Sequence, residues 1–383
     1  MIYLDNAATT FPKPAQVVSA SVGAMRFYGA NPGRGGHKIS AKAGEAVFSC
    51  REKLAQMFSC SEERTVFTLN CTHSINLALK GVLKKGNHVI ISSLEHNSVL
   101  RPLETMREKG EITYDVAFVE PRDEEKTVSN FERLIRPETR LIICTHASNV
   151  FGTVLPVKKL SALCKKHGLL FALDCAQSAG ILPVSMEKDG IDIVCAPGHK
   201  GLFGPMGTGV LMFSNRVEIE SLVQGGTGSL SLKKSQPEIY PDSLESGTVN
   251  LPGIAGLSAG LDFIRSFGGE KAIREKEAYL IKTLKEDLSV IENVTVFENM
   301  HSEIYSPVLS LLVNGEHSEQ TAQKLDNRNI AVRAGYHCSY LAHNFCKTTR
   351  SGTVRVSPSI FNTKSDVKYF VFCLNLIAKN GKM

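Results

Sequence analysis

Paired cysteines are missing from this sequence: Cys50, Cys60, Cys71, Cys144, Cys164, Cys175, Cys195, Cys338, Cys346 and Cys373 stand singly, with no C-x-x-C among them. That spacing argues against a zinc site or a disulfide framework, so no metal is expected and most of these thiols read as reduced core or helix residues. No apolar run approaches the roughly 20 residues of a membrane-spanning helix. The opening MIYLDNAATTFPKP carries an acid early and has neither the basic stretch nor the apolar segment of a secretory signal, which predicts a cytoplasmic protein. Basic residues form no stripe and the net charge of +6 is mild, so nucleic acid is not an expected partner; small phosphates and carboxylates remain suitable ligands. Internal repeats and low-complexity segments are absent.

What is present is ordinary globular composition, 43% hydrophobic and 21% charged, over 383 residues, enough for one large domain and a smaller one. From about residue 60 to 215, short β-branched runs alternate with helical patterns: RTVFTL before THSINLALKGVLKKG, NHVIISS before NSVLRPLETMREKG, TRLIICTHAS before VKKLSALCKKHG, then LLFALDCA and IDIVCAP. This alternation predicts an α/β fold with a doubly wound, mostly parallel sheet. A long helix is expected around 248–268, followed by an α+β pattern. The expected division is a large domain over 16–260 and a smaller one built from 1–15 and 261–383.

In such sheets a ligand sits beyond the carboxyl ends of the strands, so polar residues just after apolar runs are the ones to examine. They are Thr72, His96, Asn149, Asp174, Gln177, His199 and Lys200. Lys200 is the most pointed of them, because APGHKGLFGPMGTG surrounds it with glycines directly after the apolar IDIVCA. A desolvated lysine loses pKa, and its neutral amine forms a Schiff base with a carbonyl.

A carbonyl cofactor with a pyridine ring and a phosphate makes further demands. A carboxylate must hold the ring nitrogen protonated, and Asp174 at the end of LLFALD suits that task, although it also suits a turn. Gln177 could donate to the ring's phenolic oxygen, and His96 in SSLEHNSV could stack on the ring. A phosphate favours a helix N-terminus, and Cys71, Thr72 and His73 form the expected first turn after RTVFTL, with Thr72 equally able to cap it. His199 is a further donor. The glycine-rich NPGRGGHKIS, with Arg34 and His37, is too weak a signal to name a cradle.

ALDCAQSAG together with APGHKGLFGPMGTG resembles the D-x-A-Q and G-H-K motifs of the class V aminotransferase group of pyridoxal-phosphate enzymes, of PLP fold type I. THASNVFGT, LESGTVNLPGIAGL and VRAGYHCSYLAH are similar to the cysteine desulfurase and selenocysteine lyase branch, in its short-loop second group. The resemblance runs from YLDNAATT to VRVSPSIFNT. It implies that Lys200 is the Schiff-base lysine, Asp174 and Gln177 ring contacts, His96 the stacking residue, and Asn149 a neighbour of the substrate carboxylate and cofactor oxygen. It further implies that Thr248 in SGTVN reaches the phosphate of a neighbouring subunit, hence a homodimer. One departure stands out: Pro197 occupies a place where that branch often has Ser or Thr, so Thr72, His199 and Thr248 are expected to compensate.

A cofactor site leaves the reaction open, and Cys338 narrows it. It sits in the Gly/His/Ser-rich AGYHCSY outside any apolar period, where a thiolate assisted by His337 or His96 could take sulfur from a cysteine substrate. Arg355 in SGTVRVSPSIFNT offers a planar fork to the substrate carboxylate, and Arg333 could support the cysteine loop. The resulting expectation is a desulfurase acting on L-cysteine, leaving a persulfide on Cys338 for a sulfur-acceptor protein or small thiol that serves iron–sulfur clusters or other thio-cofactors. Selenocysteine lyase, an aminotransferase acting on a small amino acid, and a sulfur-relay or metal-handling protein are the alternatives.

Overall fold

The computed structural model describes residues 1–33, 35–120, 122–297 and 306–380. The chain starts with β1 (Ile2–Tyr3), α1 (Ala15–Phe27) and α2 (Lys38–Phe58). Alternation follows through β2 (Thr65–Thr68), α3 (Cys71–Val82), β3 (His88–Ser92), α4 (Asn97–Glu108), β4 (Thr113–Ala117) and α5 (Glu124–Glu132). It continues with β5 (Thr139–Thr145), α6 (Val157–Lys166), β6 (Leu170–Asp174), the single turn α7 (Met186–Asp189), β7 (Ile193–Pro197) and β8 (Gly209–Phe213). Next come α8 (Leu251–Phe267), α9 (Gly269–Leu288), β9 (Val294–Phe297), β10 (Leu309–Val313) and α10 (Ser318–Asp326). The last elements are β11 (Ile330–Ala331), β12 (Arg333–Gly335), α11 (Tyr340–Phe345), β13 (Thr353–Val356) and α12 (Lys364–Asn380).

Seven strands form the large sheet in the order β2-β8-β7-β6-β5-β3-β4, and only β8 runs against its neighbours. Strands covered by helices on both sides need two apolar faces, which is why HVIIS, LFALD and IVCAP are apolar without alternation. Ile90, Ile142 and Phe171 join one core with Leu54, Leu160 and Leu257, while Val89, Ile91, Leu141 and Ile143 join the other with Ile75, Leu79, Val99 and Leu103. Neighbouring residues of one strand thus serve opposite layers.

The smaller sheet is antiparallel, in the order β12-β13-β10-β9. Its Leu309, Leu311, Val354 and Val356 pack with Leu280 and Leu284 of α9 and Phe370 and Leu374 of α12. β1 pairs in parallel with β11, and Asp5 bridges Ser357. Residue 260, the boundary expected from sequence, lies inside α8, whose hydrogen bonding continues to Phe267. The first break comes at Gly268 and Gly269, with φ of 109° and 79°, values that favour residues without a Cβ.

Candidate active site

The carboxyl-terminal edge of the large sheet gathers the polar residues that follow the strands. Thr72, His96, Asn149, Asp174, Gln177, His199 and Lys200 line one cavity of about 100 Å³, with Cys71 and Pro197 also in its wall. Six of these seven come from segments after β2, β3, β5, β6 and β7, so register alone brings them together; Gly198 and Gly201 let the lysine loop press close. A Cβ on Gly201 would collide with the Ala179 carbonyl oxygen, and one on Gly198 with the Thr208 hydroxyl.

Burial pushes the Lys200 amine from its usual 10.5 down to about 8; Arg355 adds to that, and Cys71 and Asp174 oppose it. Asp174 is buried, which raises its carboxyl pKa against the Ala176 N–H, Lys200 and the Cys71 thiol. Its Oδ1 accepts from the Ala176 N–H at 2.8 Å and from Cys71 Sγ at 3.4 Å. Cys71 was expected to matter only through its backbone; its side chain also faces the carboxylate.

Two imidazoles are fixed in the neutral state. His96 caps α4, its Nδ1 accepting from the Ser98 N–H at 3.0 Å, which leaves the proton on Nε2. Burial, then Lys200 and nearby arginines, lowers its pKa to about 4. His199 is lowered to about 4 chiefly by burial, and its Nδ1 is buried with no partner among the described residues.

At the start of α3, Asn70 caps the helix by accepting the His73 N–H at 2.9 Å. His73 is therefore not an available donor, which corrects the expectation, and its ring lines a different cavity that also contains exposed Thr248. Helix geometry leaves the N–H groups of Cys71 and Thr72 without intrahelical acceptors. Thr248 does not line the Lys200 cavity within this chain. His37 caps α2, and Arg34 lies outside the described residues.

The Cys338 loop is held against this cavity by its neighbours. Asn149 Nδ2 donates to the His337 carbonyl at 2.7 Å, the Ser339 hydroxyl donates to Asn149 Oδ1 at 2.7 Å, and the Asn97 N–H donates to the Cys338 carbonyl at 2.8 Å. Cys338 is exposed, and both it and His337 are left-handed, with φ of 57° and 49°. His337 is buried, bonded through Nε2 to Thr353 at 3.1 Å, and its pKa falls to about 2 from burial and then Arg355. Neither expected histidine supplies a cation to the thiol. Arg333 does, with Nη2 at 4.0 Å from Sγ.

Arg355 is fully buried, where Nη2 donates to Asp5 Oδ1 at 2.7 Å, Nη1 donates to the Asn149 carbonyl at 3.0 Å, and Nε has no partner among the described residues. Sequence reading missed the scaffold that residues 5–13 provide. Ala7 offers its carbonyl to Gln177 Nε2 at 3.0 Å, and Thr9, Thr10 and Lys13 all donate to the His199 carbonyl, Lys13 at 2.6 Å. The only signal was YLDNAATT at the head of the resemblance.

The family profile described as Aminotransferase class-V matches residues 2–370. A protein of Methanothermobacter thermautotrophicus described as a probable cysteine desulfurase is 33% identical over 99% of this chain and 95% of its own. One from Pyrococcus abyssi, described in the same words, is 31% identical over 99% and 95%. Among solved structures, the apo cysteine desulfurase of Thermococcus onnurineus superposes with a TM-score of 0.91 at 31% identity, covering 99% of this chain and 95% of that one. The Escherichia coli cysteine desulfurase CsdA gives 0.88 at 26%, covering 99% and 94%.

This family depends on pyridoxal phosphate, and the cavity's chemistry fits it: a lysine amine lowered to about 8, a buried carboxylate, and an orphaned nitrogen on His199 that a phosphate would satisfy. Arg355 does not line the cavity, although its charge acts on Lys200. With that fit and those matches, the chain belongs to the class V aminotransferase family and, within it, to the cysteine desulfurases.

Proposed function

We propose that the protein is a pyridoxal-phosphate-dependent cysteine desulfurase that converts L-cysteine to L-alanine and leaves the sulfur as a persulfide on Cys338. The observation that carries this reading is the Asn149 clamp, which fixes the Cys338 loop to the cavity containing Lys200 and Asp174. The reaction balances without an outside oxidant or reductant: L-cysteine and the Cys338 thiol become alanine and a Cys338 hydropersulfide.

When bound, pyridoxal phosphate supplies an electron sink that labilises bonds at the amino acid's α and β carbons. Lys200 would hold its aldehyde carbon, Asp174 its ring nitrogen, Gln177 its phenolic oxygen, and Thr72, the Cys71 N–H and His199 its phosphate. With a pKa near 8, the lysine amine can carry a proton to and from the substrate α carbon near neutral pH. His96 offers an Nε2 proton from the cavity wall. Arg355 binds the substrate carboxylate through its Nε–H and the remaining Nη hydrogens, since Asp5 and Asn149 already take two. The Arg333 guanidinium stands beside the Cys338 sulfur as the charged neighbour of the attacking thiol.

We also propose a homodimer in which Thr248 serves the partner's phosphate site, and a cytoplasmic location that keeps ten unpaired cysteines reduced. Among the described residues no helix is long and apolar enough to cross a membrane. A visible spectrum of the coenzyme-loaded protein before and after L-cysteine, with alanine, sulfide and keto acid assayed together, tests the reading. Alanine with sulfane sulfur supports it, and keto acid without sulfur release would replace it with transamination.

A further inference from the structure

Two cavities adjoin near the Cys338 loop, and Cys338 lines only one. The Lys200 cavity and an outer groove of about 350 Å³ share Thr72, His96 and Ser98 as a common wall. Cys338 lines the outer groove and does not line the inner cavity. From the thiol the groove runs between α3 and α4, past Asn76 and Lys80 on one side and Arg101 and Thr105 on the other.

The charge of this groove has one sign. Lys80 and Arg101 are exposed, neither forms an ion pair among the described residues, and no Asp or Glu lines the groove. Arg333 adds a third cation at the thiol. Cations left uncompensated along a concave surface concentrate anions there and favour the thiolate of any thiol that enters. A volume of this size suits a small molecule.

Resting on the assignment of the persulfide to Cys338, we propose that the groove is the acceptor site for a small thiol carrying two carboxylates. The acceptor's thiolate attacks the terminal sulfur of the Cys338 persulfide, and a sulfur–sulfur bond forms on the acceptor. The bond to Cys338 Sγ breaks with its electron pair returning to Cys338. The products are an acceptor persulfide and a free Cys338 thiolate, with no net oxidation.

The test separates loading from unloading. Holoenzyme is mixed with about one equivalent of L-cysteine and the alanine burst is measured, then the persulfide is discharged with mercaptosuccinate or neutral 2-mercaptoethanol at equal thiolate concentration. Mercaptosuccinate is expected to discharge it with saturation and about tenfold faster at low salt, the advantage shrinking as salt screens the cations. In the Lys80→Ala/Arg101→Ala variant that advantage should vanish while the alanine burst stays unchanged. Equal rates for the two thiols in the parent protein, or a preference that survives the double substitution, would overturn the proposal, and so would a slowed burst, which assigns the groove to substrate entry. Absence of any burst in the parent protein overturns the desulfurase reading itself, a different result from a burst followed by unselective discharge.

Discussion

Lys200 and Cys338 are both nucleophiles, and the protein prepares them by opposite means. Lys200 sits on a loop locked by close backbone contacts after a central strand, and dehydration brings its amine to about 8. Cys338 is exposed on two successive left-handed residues, held by hydrogen bonds from Asn97 and through Asn149, with a guanidinium at 4.0 Å. The amine has to be neutral to react and a dry site disfavours charge; the thiol has to be charged and water favours that. Opposite protonation requirements thus place one group under the sheet's edge and the other on its rim.

Removing either nucleophile should break this comparison at different points. Lys200→Ala is expected to lose both firm coenzyme retention and turnover, the latter by roughly 10⁴-fold, measured by absorbance after gel filtration and by alanine release. Cys338→Ala should keep the coenzyme colour and its response to L-cysteine while persulfide-dependent alanine formation falls roughly 10³-fold. Retained sulfur transfer in that variant would remove the thiol from the mechanism.

Acid sharpens the contrast. Because the Lys200 amine is protonated below its pKa of about 8, capture of pyridoxal phosphate by coenzyme-free protein should slow as pH falls, tenfold per unit, and level off above that value. Between the plateau and about pH 6 the loss is roughly 100-fold, and a rate that keeps climbing tenfold per unit well past pH 8 would show that the amine is not desolvated. The smallest effect is expected from Ser339→Ala, which strands the Asn149 amide oxygen in a buried site at a cost of about 1–3 kcal/mol. Persulfide formation should slow about tenfold while coenzyme affinity stays put, and rescue by Ser339→Thr would tie the loss to the hydroxyl.

Much of the inner cavity could be read in the chain because strand ends deliver it: Asn149, Asp174, Gln177, His199 and Lys200 each stand a few residues after an apolar run, and parallel register puts such positions on one edge. The contacts that escaped reading are those that join distant segments. Asp5 meets Arg355 across 350 residues of sequence, and no local pattern marks the pair. Thiolate assistance was sought in the adjacent His337, but burial decides its charge, and adjacency in sequence says nothing about burial. The cap of α3 was sought on Thr72, whereas Asn70, the residue just before the helix, accepts the His73 N–H. Residue 260, the expected boundary, falls within α8, one continuous helix that ends at the paired glycines.

The segment from Asp5 to Lys13 reaches Arg355, Gln177 and the His199 carbonyl, so it works as a mortise between the two layers. Fusing a bulky handle there, or trimming those residues to ease crystallisation, would loosen three functional side chains at once. A protein so altered could fold, stay monodisperse and still lose its chemistry, and its inactivity would say nothing about the catalytic groups themselves.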